Sequence, residues 1–427
     1  MLALIRTDDG AQHARRHVSM RSTGLVLAAV LALIVVVCLG VAQAAGAVVT
    51  TVAGQQFGVQ PEQAAEAEPL PIIEALSYGG GPVVHSPAPY ALYWDHDAGQ
   101  YTGSWEEMIS GFLQNVGSDS GKLSNDFAVI TQYHDTSGEK ASYDLTFRGA
   151  YTDTDVYPSS GNCSEAGEPC LTDAQIRAEL TKYIVANGLP TGLNPSSSPT
   201  PIYYVFTPPD VTVCLQGSGQ QGNCSTQSSA EPLCSYHSFI PAGGQLSGTV
   251  LYAVEPWTAG NYGSGERPEI SGSDCQDGSG VLQEPGQIGL GPDGRYDPGL
   301  AEVIINNVTD EALSTATNPL FTAWQDAGAD KDEVVDKCRN DFLGGELLEA
   351  PTSTVEKHTK AGRAHNQTIA GHEYYLNDVF DQAAAYAAYP GVPCINGVNV
   401  APEFTAQNPI RSGDIATFNA TESNVSL

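Results

Sequence analysis

Apolar and polar residues follow one another in two periods along this chain, and these periods predict strands and helices. Short apolar or alternating runs, rich in Tyr, Val, Ile and Phe and bounded by Gly, Pro or Ser, are typical of strands. The predicted strands are residues 88–94, 127–133, 143–147, 201–206, 249–254 and 371–376. Helical segments lie between them without a fixed repeat, so the order of elements predicts a mixed α/β (α+β) domain.

Two helices are predicted from apolar residues spaced three and four positions apart. The first begins near Trp105 and ends at Gly117. The second begins after Thr172, whose spacing to Gln175 fits a capping box, and it ends at Gly188. Both have a start signal or a stop signal in addition to an apolar face.

A third predicted helix carries the candidate chemistry. It begins at Asp297, an N-cap before a first-turn proline, and it must end before Pro319. Asp310, Glu311 and Ser314 have the spacing at which a zinc peptidase carries HExxH or HExxE. Glu311 keeps the position of the general base, whereas Asp and Ser replace the two expected metal ligands. Glu311 is therefore the candidate catalytic residue if the protein is an enzyme.

The acidic residues around this helix leave several metal hypotheses open. A zinc site needs two ligands one helical turn apart, a third ligand and a carboxylate base, and only the base is present. The sequence therefore disfavours zinc. Asp310 with the downstream carboxylates Glu333 and Asp336 is compatible with calcium or another hard cation, since such ions prefer oxygen ligands. An acidic face without a metal is the favoured alternative.

The N-terminal segment predicts export. The apolar run 24–45 follows Arg15, Arg16 and Arg21 and closes with an A-x-A pattern. Residues 1–45 therefore fit a signal peptide. Because the run approaches the length of a spanning helix, an uncleaved membrane anchor is the alternative. Either interpretation predicts an extracellular protein, or one anchored to the outer face of the membrane and touching it only there.

Cysteine usage fits an oxidising compartment. The chain has nine cysteines, and the eight that follow Cys38 are an even number, which in an exported chain predicts disulfides. The short separation favours Cys163 with Cys170, and the isolated late pair is Cys338 with Cys394. The sequence leaves open the pairing of Cys214, Cys224, Cys234 and Cys275.

Charge and composition complete the predicted domain plan. A net charge of −31 repels phosphate backbones, which excludes nucleic acid as a partner. Residues 46–75, rich in Ala, Gln, Glu and Pro, predict a flexible linker. Residues 76–396 then form one large extracytoplasmic domain held together by disulfides, and residues 397–427 form a C-terminal tail.

Four smaller motifs have both a functional and a structural interpretation. His372 begins an HExxH-like run, but residue 376 is Leu, so coincidence is favoured. Cys234 and His237 suggest a thiol nucleophile, although a disulfide beside a buried histidine is favoured in this compartment. Asn307 lies in a glycosylation sequon, which would need an exposed helix face. Trp257 is the best candidate for an exposed aromatic that stacks on carbohydrate.

Motifs in a fixed order resemble the exordium/phosphate-induced protein family and its bacterial relatives. They are YGGGPV (78–83), LYW (92–94), IYYVFTPPDVTVC (202–214), LCSYHS (233–238), TATNP (315–319), EVVDKC (333–338) and GHEYYL (371–376). The resemblance implies a zincin-like fold, since the bacterial relatives carry SHExxExxTDP on the corresponding helix. Plant members lack that motif, and the family's role there is implied to be extracellular and growth-related. Here Asp310 and Ser314 depart from the zincin pattern.

Together these patterns predict a secreted exordium-like protein with a degenerate metallopeptidase-type helix. The expected function is non-catalytic binding of an extracellular ligand, either a peptide or a carbohydrate. The alternative is a metal-dependent extracellular hydrolase, peptidase-like, that uses Glu311 as its general base. Oligomeric state is left open.

Overall fold

The computed structural model covers the domain in a series of segments. It describes residues 48–61, 75–101, 105–158, 163, 169–193, 199–208, 211–216, 223–225, 233–257, 299–328, 331–338, 366–374, 376–382, 394–395 and 397. The predicted signal segment, the cap at Asp297, the cysteine at position 275 and nearly all of the predicted tail lie outside these residues.

Seven strands form one mixed sheet. They are β1 (Val48–Val52), β2 (Gln55–Pro61), β4 (Pro87–Trp94), β5 (Ala150–Asp153), β7 (Thr200–Phe206), β9 (Leu233–Ile240) and β10 (Val250–Glu255). Their order in the sheet is β1-β2-β9-β10-β7-β4-β5. The pairs from β10 through β7 and β4 to β5 are parallel, whereas β1, β2, β9 and β10 pair antiparallel. The carboxyl ends of four strands therefore meet at one edge of the sheet.

Shorter elements surround this sheet. The small strands are β3 (Ser77–Tyr78), β6 (Cys170–Thr172), β8 (Thr212–Cys214), β11 (Trp324–Gln325), β12 (Gln367–Ile369), β13 (His372–Tyr374), β14 (Val379–Phe380) and β15 (Cys394–Ile395). The helices are α1 (Trp105–Ser118), α2 (Asp126–Val129), α3 (Asp173–Asn187) and α4 (Gly299–Thr317), with 3-10 turns at Ile130–Gln132 and Asp336–Cys338.

Helices cover both faces of the sheet. On one face, Ile176, Leu180 and Ile184 of α3 enter a core built on alternate residues of the central strands. On the other face, the apolar residues of α1 and α4 pack on the intervening residues of the same strands. The strands are consequently apolar on both sides, as expected for a sheet buried between layers.

Much of the predicted secondary structure is confirmed. The predicted strands at 88–94, 201–206 and 249–254 are β4, β7 and β10, and the three predicted helices are α1, α3 and α4. The capping box forms as expected, because Thr172 and Gln175 exchange hydrogen bonds at the start of α3. Gly188 ends that helix in the left-handed conformation at φ 60°.

Three predictions about local structure are wrong. The linker predicted at 46–75 contains the β1–β2 hairpin, because Phe57 and Val59 of QQFGVQP alternate into the α3-side core. The strand predicted at 127–133 is α2 and a 3-10 turn, started by Asn125, whose side chain accepts from Phe127 N at 3.1 Å. The strand predicted at 143–147 makes only isolated backbone bonds with the described part of β4.

Disulfides hold the described segments together. Both predicted pairs are confirmed, with S–S distances of 2.22 Å for Cys163–Cys170 and 2.08 Å for Cys338–Cys394. Cys214 pairs with Cys224, which resolves one of the open pairings, and Cys234 is also disulfide-bonded. The fold is thus a mixed α+β domain with disulfides, as predicted, whereas its zincin-like character stays a prediction. Among the described helices, none has the length and apolar character needed to span a membrane.

Candidate functional site

Helix α4 packs on strands β9 and β10 and is buried around its whole circumference from Ile304 onwards. Its polar residues are enclosed together with its apolar ones, as Asn307 is fully buried and Glu311 is 3% exposed. A glycan on Asn307 is therefore incompatible with the folded chain. Polar groups that are enclosed in this way need partners within the protein.

Glu311 finds its partners on strand β9. One carboxylate oxygen lies 2.7 Å from Nδ1 of His237, and the other accepts a hydrogen bond of 2.5 Å from Ser235 Oγ. Ser235 and His237 are two residues apart on one strand, so both side chains point toward α4. The second imidazole nitrogen, Nε2, lies 3.4 Å from Glu333 Oε2. We call His237, Glu311 and Glu333 the buried ion network.

Residues from two of the motifs hold the far side of the buried ion network. Asn318 donates a 2.7 Å hydrogen bond to Glu333 Oε1 and accepts one of 2.7 Å from Ala323 N. Asp336 accepts a 2.8 Å hydrogen bond from the backbone N–H of Glu333. The TATNP and EVVDKC motifs thus meet at one carboxylate. Their residues position Glu333 against His237.

The charges of this network favour an imidazolium. Burial alone lowers the pKa of His237, but Glu333 and the hydrogen bond to Glu311 oppose burial and raise that pKa to about 10. His237 is therefore protonated at neutral pH. Its Nδ1 donates a hydrogen bond to Glu311, whereas Nε2 lies at ion-pair distance from Glu333 without hydrogen-bond geometry. The arrangement is a buried group of three ions, in which one imidazolium lies between two carboxylates.

Gly58 on β2 makes room for the network. Gly58 and His237 are paired across β2 and β9, and a Cβ on Gly58 would lie 2.2 Å from His237 Cε1 and 2.5 Å from Glu333 Oε2. Hydrogen bonds and ion-pair contacts hold His237 and Glu333 in place, so neither side chain can move away easily from an added methyl group. This close approach explains a glycine in the interior of a strand.

We expect Gly58→Ala to lower the free energy of unfolding by about 1–3 kcal/mol, the usual cost of overpacking a core. Urea unfolding followed by circular dichroism measures this. Gly111→Ala in α1 is the matched control, because the described surroundings leave its added methyl group with no atom within 4 Å. Equal stability of the two variants would contradict the close packing at Gly58.

A second set of buried polar groups without partners lies on β7, on α4 and at the carboxyl end of β10. These groups are the carboxylate oxygens of Glu255, the hydroxyl of Tyr204 and the side-chain amide of Asn307. Within the described residues, none of them has a hydrogen-bond partner. Burial, followed by the charges of Glu311 and Asp310, raises the pKa of Glu255 well above its usual range. Glu255 is therefore a buried carboxyl group whose charged form is disfavoured and whose oxygens have unused hydrogen-bonding capacity.

Trp257, the aromatic residue predicted to be exposed, follows Glu255 by two residues. Trp257 is only 7% exposed and its ring centroid lies 5.1 Å from that of Trp105, so the prediction of exposure is wrong. Its indole N–H is buried, and no described residue accepts a hydrogen bond from it. A carboxyl group and an indole without partners thus follow one another at the carboxyl end of β10, and the Tyr204 phenol is electrostatically coupled to Glu255.

The predicted ligands of a hard cation lie at different places. Glu333 faces His237, Asp336 caps the backbone N–H of Glu333, and Asp310 interacts electrostatically with Asp126 and Glu255. The three carboxylates are not among the described sets whose oxygens lie within 4.8 Å of one another. A cation at these residues stays a prediction without geometric support.

The sequence predicts Glu311 as a candidate residue and His237 as buried, but it does not predict their contact. The disulfide-bonded Cys234 and the buried His237 agree with the interpretation favoured for LCSYHS. The alternation within that motif placed Ser235 and His237 on one face, which was the available signal. The motif alone does not show which element covers that face, because this depends on the place of β9 in the sheet.

The fold and site together define a disulfide-bonded α+β protein with a buried ion network on its central helix. Comparison with protein-family models, with curated proteins and with solved structures found no match. The exordium-like family is consequently a proposal that rests on the motifs quoted above.

Proposed function

We propose that this chain is a secreted exordium-like protein that binds an extracellular ligand and does not catalyse through α4. The motifs and the A-x-A segment support the family and the export. The disulfides support an oxidising location outside the cytoplasm. The ligand is a peptide or a carbohydrate, because the acidic surface disfavours polyanions.

The state of Glu311 is the observation that carries the non-catalytic part of the proposal. A general base must reach the water or proton that it activates. Both carboxylate oxygens of Glu311 are engaged, one by Ser235 and one by protonated His237, in a side chain that is 3% exposed. Such a carboxylate stabilises an imidazolium in the core instead of acting on a substrate.

The Glu255 group supports the binding part of the proposal. Buried polar atoms without partners cost free energy, so their presence calls for an explanation such as a bound molecule. Ligands of open α/β sheets bind outside the carboxyl ends of the parallel strands, which is where Glu255 and Trp257 lie. A carboxyl group beside indole rings suits a neutral sugar or a peptide amide.

A zinc analysis combined with one variant tests the non-catalytic part. We expect the purified chain to contain far less than stoichiometric zinc, to hydrolyse no peptide substrate, and to keep its melting temperature in a zinc-selective chelator such as phenanthroline. Glu311→Gln should change stability alone. Glu107→Gln, an exposed acidic residue of α1, is the charge-matched control.

The competing hydrolase predicts the opposite results. Stoichiometric zinc with hydrolysis that disappears in Glu311→Gln would establish the metal-dependent enzyme and overturn the proposal. The same preparations serve for binding measurements against panels of neutral oligosaccharides and of peptides. Retained affinity in Glu255→Gln would place the binding site away from the strand ends.

A further inference from the structure

Three carboxylates from different elements meet beside the outermost parallel strand. Asp153 ends β5, Asp155 follows it, and Glu179 projects from α3. One oxygen from each lies within 4.8 Å of an oxygen from the others, and they are the only three carboxylates in the described part of the chain that form such a set. Oxygens at these mutual distances match the inner ligands of a hard cation.

Asp153 provides a second and independent observation. Its side chain is 2% exposed, and Oδ1 accepts a 3.0 Å hydrogen bond from Asp155 N. Its other oxygen, Oδ2, is buried and accepts no N–H or O–H hydrogen bond within the described residues, and the carboxyl group facing Asp153 is that of Glu179. A buried carboxylate oxygen without a donor is costly, so this atom points to a missing positive partner.

Lys182 compensates the cluster only in part. Its Nζ lies 2.5 Å from Asp155 Oδ2 and 2.7 Å from Glu179 Oε1. Three carboxylates and one ammonium leave a charge of −3 + 1 = −2, which is the charge that a divalent ion neutralises. The lysine side chain is 55% exposed, so it is free to swing into solvent when an ion enters.

We propose that Asp153, Asp155 and Glu179 form a calcium site, with Lys182 as a displaceable counter-ion. Calcium fits better than zinc because all ligands are carboxylate oxygens, and better than magnesium because one ligand comes from a partly exposed loop that tolerates irregular geometry. Competition from the lysine suggests weak binding, about 10⁻⁴–10⁻³ M as in extracellular calcium modules. This site is independent of the proposed function and of Asp310.

The neighbouring Trp94 supplies an optical probe. Its indole Nε1 donates a 2.8 Å hydrogen bond to the carbonyl oxygen of Asp155. Terbium bound to the cluster should therefore show luminescence on excitation of tryptophan. We expect this signal in the full chain and its loss on competition with millimolar calcium.

Variants decide whether the signal comes from this cluster. Asp155→Asn and Glu179→Gln should each weaken terbium and calcium binding at least about tenfold, the scale of one lost charge-assisted contact. Lys182→Met should tighten binding, because it removes the competing ammonium. Glu107→Gln removes an acidic residue elsewhere and should leave binding unchanged.

Calcium-dependent stability gives a second readout for variants that bind weakly. Calcium at several millimolar should raise the melting temperature of the unmodified chain but not of Asp155→Asn, since only the folded state holds the site. Equal terbium affinity in the unmodified chain and in both carboxylate variants would overturn the proposal. Competition by magnesium as effective as by calcium would overturn the assignment to calcium.

Discussion

We expect His237→Ala to lower the free energy of unfolding by about 3–5 kcal/mol, which is the usual cost of removing one partner from a buried ion pair. The variant leaves Glu311 and Glu333 enclosed, with side chains 3% and 2% exposed, and without their shared cation. Urea unfolding at neutral pH measures the loss. His85→Ala is the control, because His85 contacts Asp135 at 2.9 Å and that carboxylate keeps hydrogen bonds from Ser137.

The pH dependence of the same variant separates charge from packing. His237 has a pKa raised from 6.5 to about 10, so its contribution is fully present below 6.5 and is lost as pH rises toward 10. Stability of the unmodified chain should therefore fall across this window, and His237→Ala should lose that part of the fall. An unchanged pH profile would contradict an imidazolium at this position.

The second large effect concerns the disulfide between Cys338 and Cys394. We expect the double variant Cys338→Ser/Cys394→Ser to lose about 4 kcal/mol, the chain-entropy value for a sequence separation of 56. The bond is buried, and it joins the turn after Glu333 to β15. Thermal and urea unfolding under oxidising conditions measure the loss.

Loop length provides the matched comparison for this prediction. Cys163–Cys170 has a sequence separation of 7, so the same relation gives a loss of only about 2–3 kcal/mol for Cys163→Ser/Cys170→Ser. A larger loss from the short loop than from the long one would contradict the entropic account. Unchanged unfolding in the Cys338 variant would show that this crosslink does not constrain the unfolded chain.

Local patterns predicted those parts of the fold whose signals are themselves local. The capping box at Thr172 and the apolar runs of β4, β7 and β10 each fit one kind of element. The apolar run at 127–133 failed because a short apolar segment fits a buried strand and a buried helix equally well. The β1–β2 hairpin was missed because Gln and Gly residues conceal the alternation of Phe57 and Val59.

The candidate site was predictable in its parts but not in its assembly. Glu311 was found from its position in a degenerate motif, and the burial of His237 was expected from its neighbours. Their hydrogen bond spans 74 residues and depends on which strands lie beneath α4, a property that no local pattern encodes. The lack of a hydrogen-bond partner for Glu255 could not be predicted either, because it depends on how the whole chain packs in three dimensions.

The contact of Gly58 with His237 and Glu333 also has a consequence for how the chain folds. This contact joins the β1–β2 hairpin to the segment around Glu333, which follows α4 in the sequence. Contacts between such distant segments must overcome a large loop-closure entropy, and domains that depend on them fold slowly. The chain should therefore remain without a closed core until residue 333 has been synthesised.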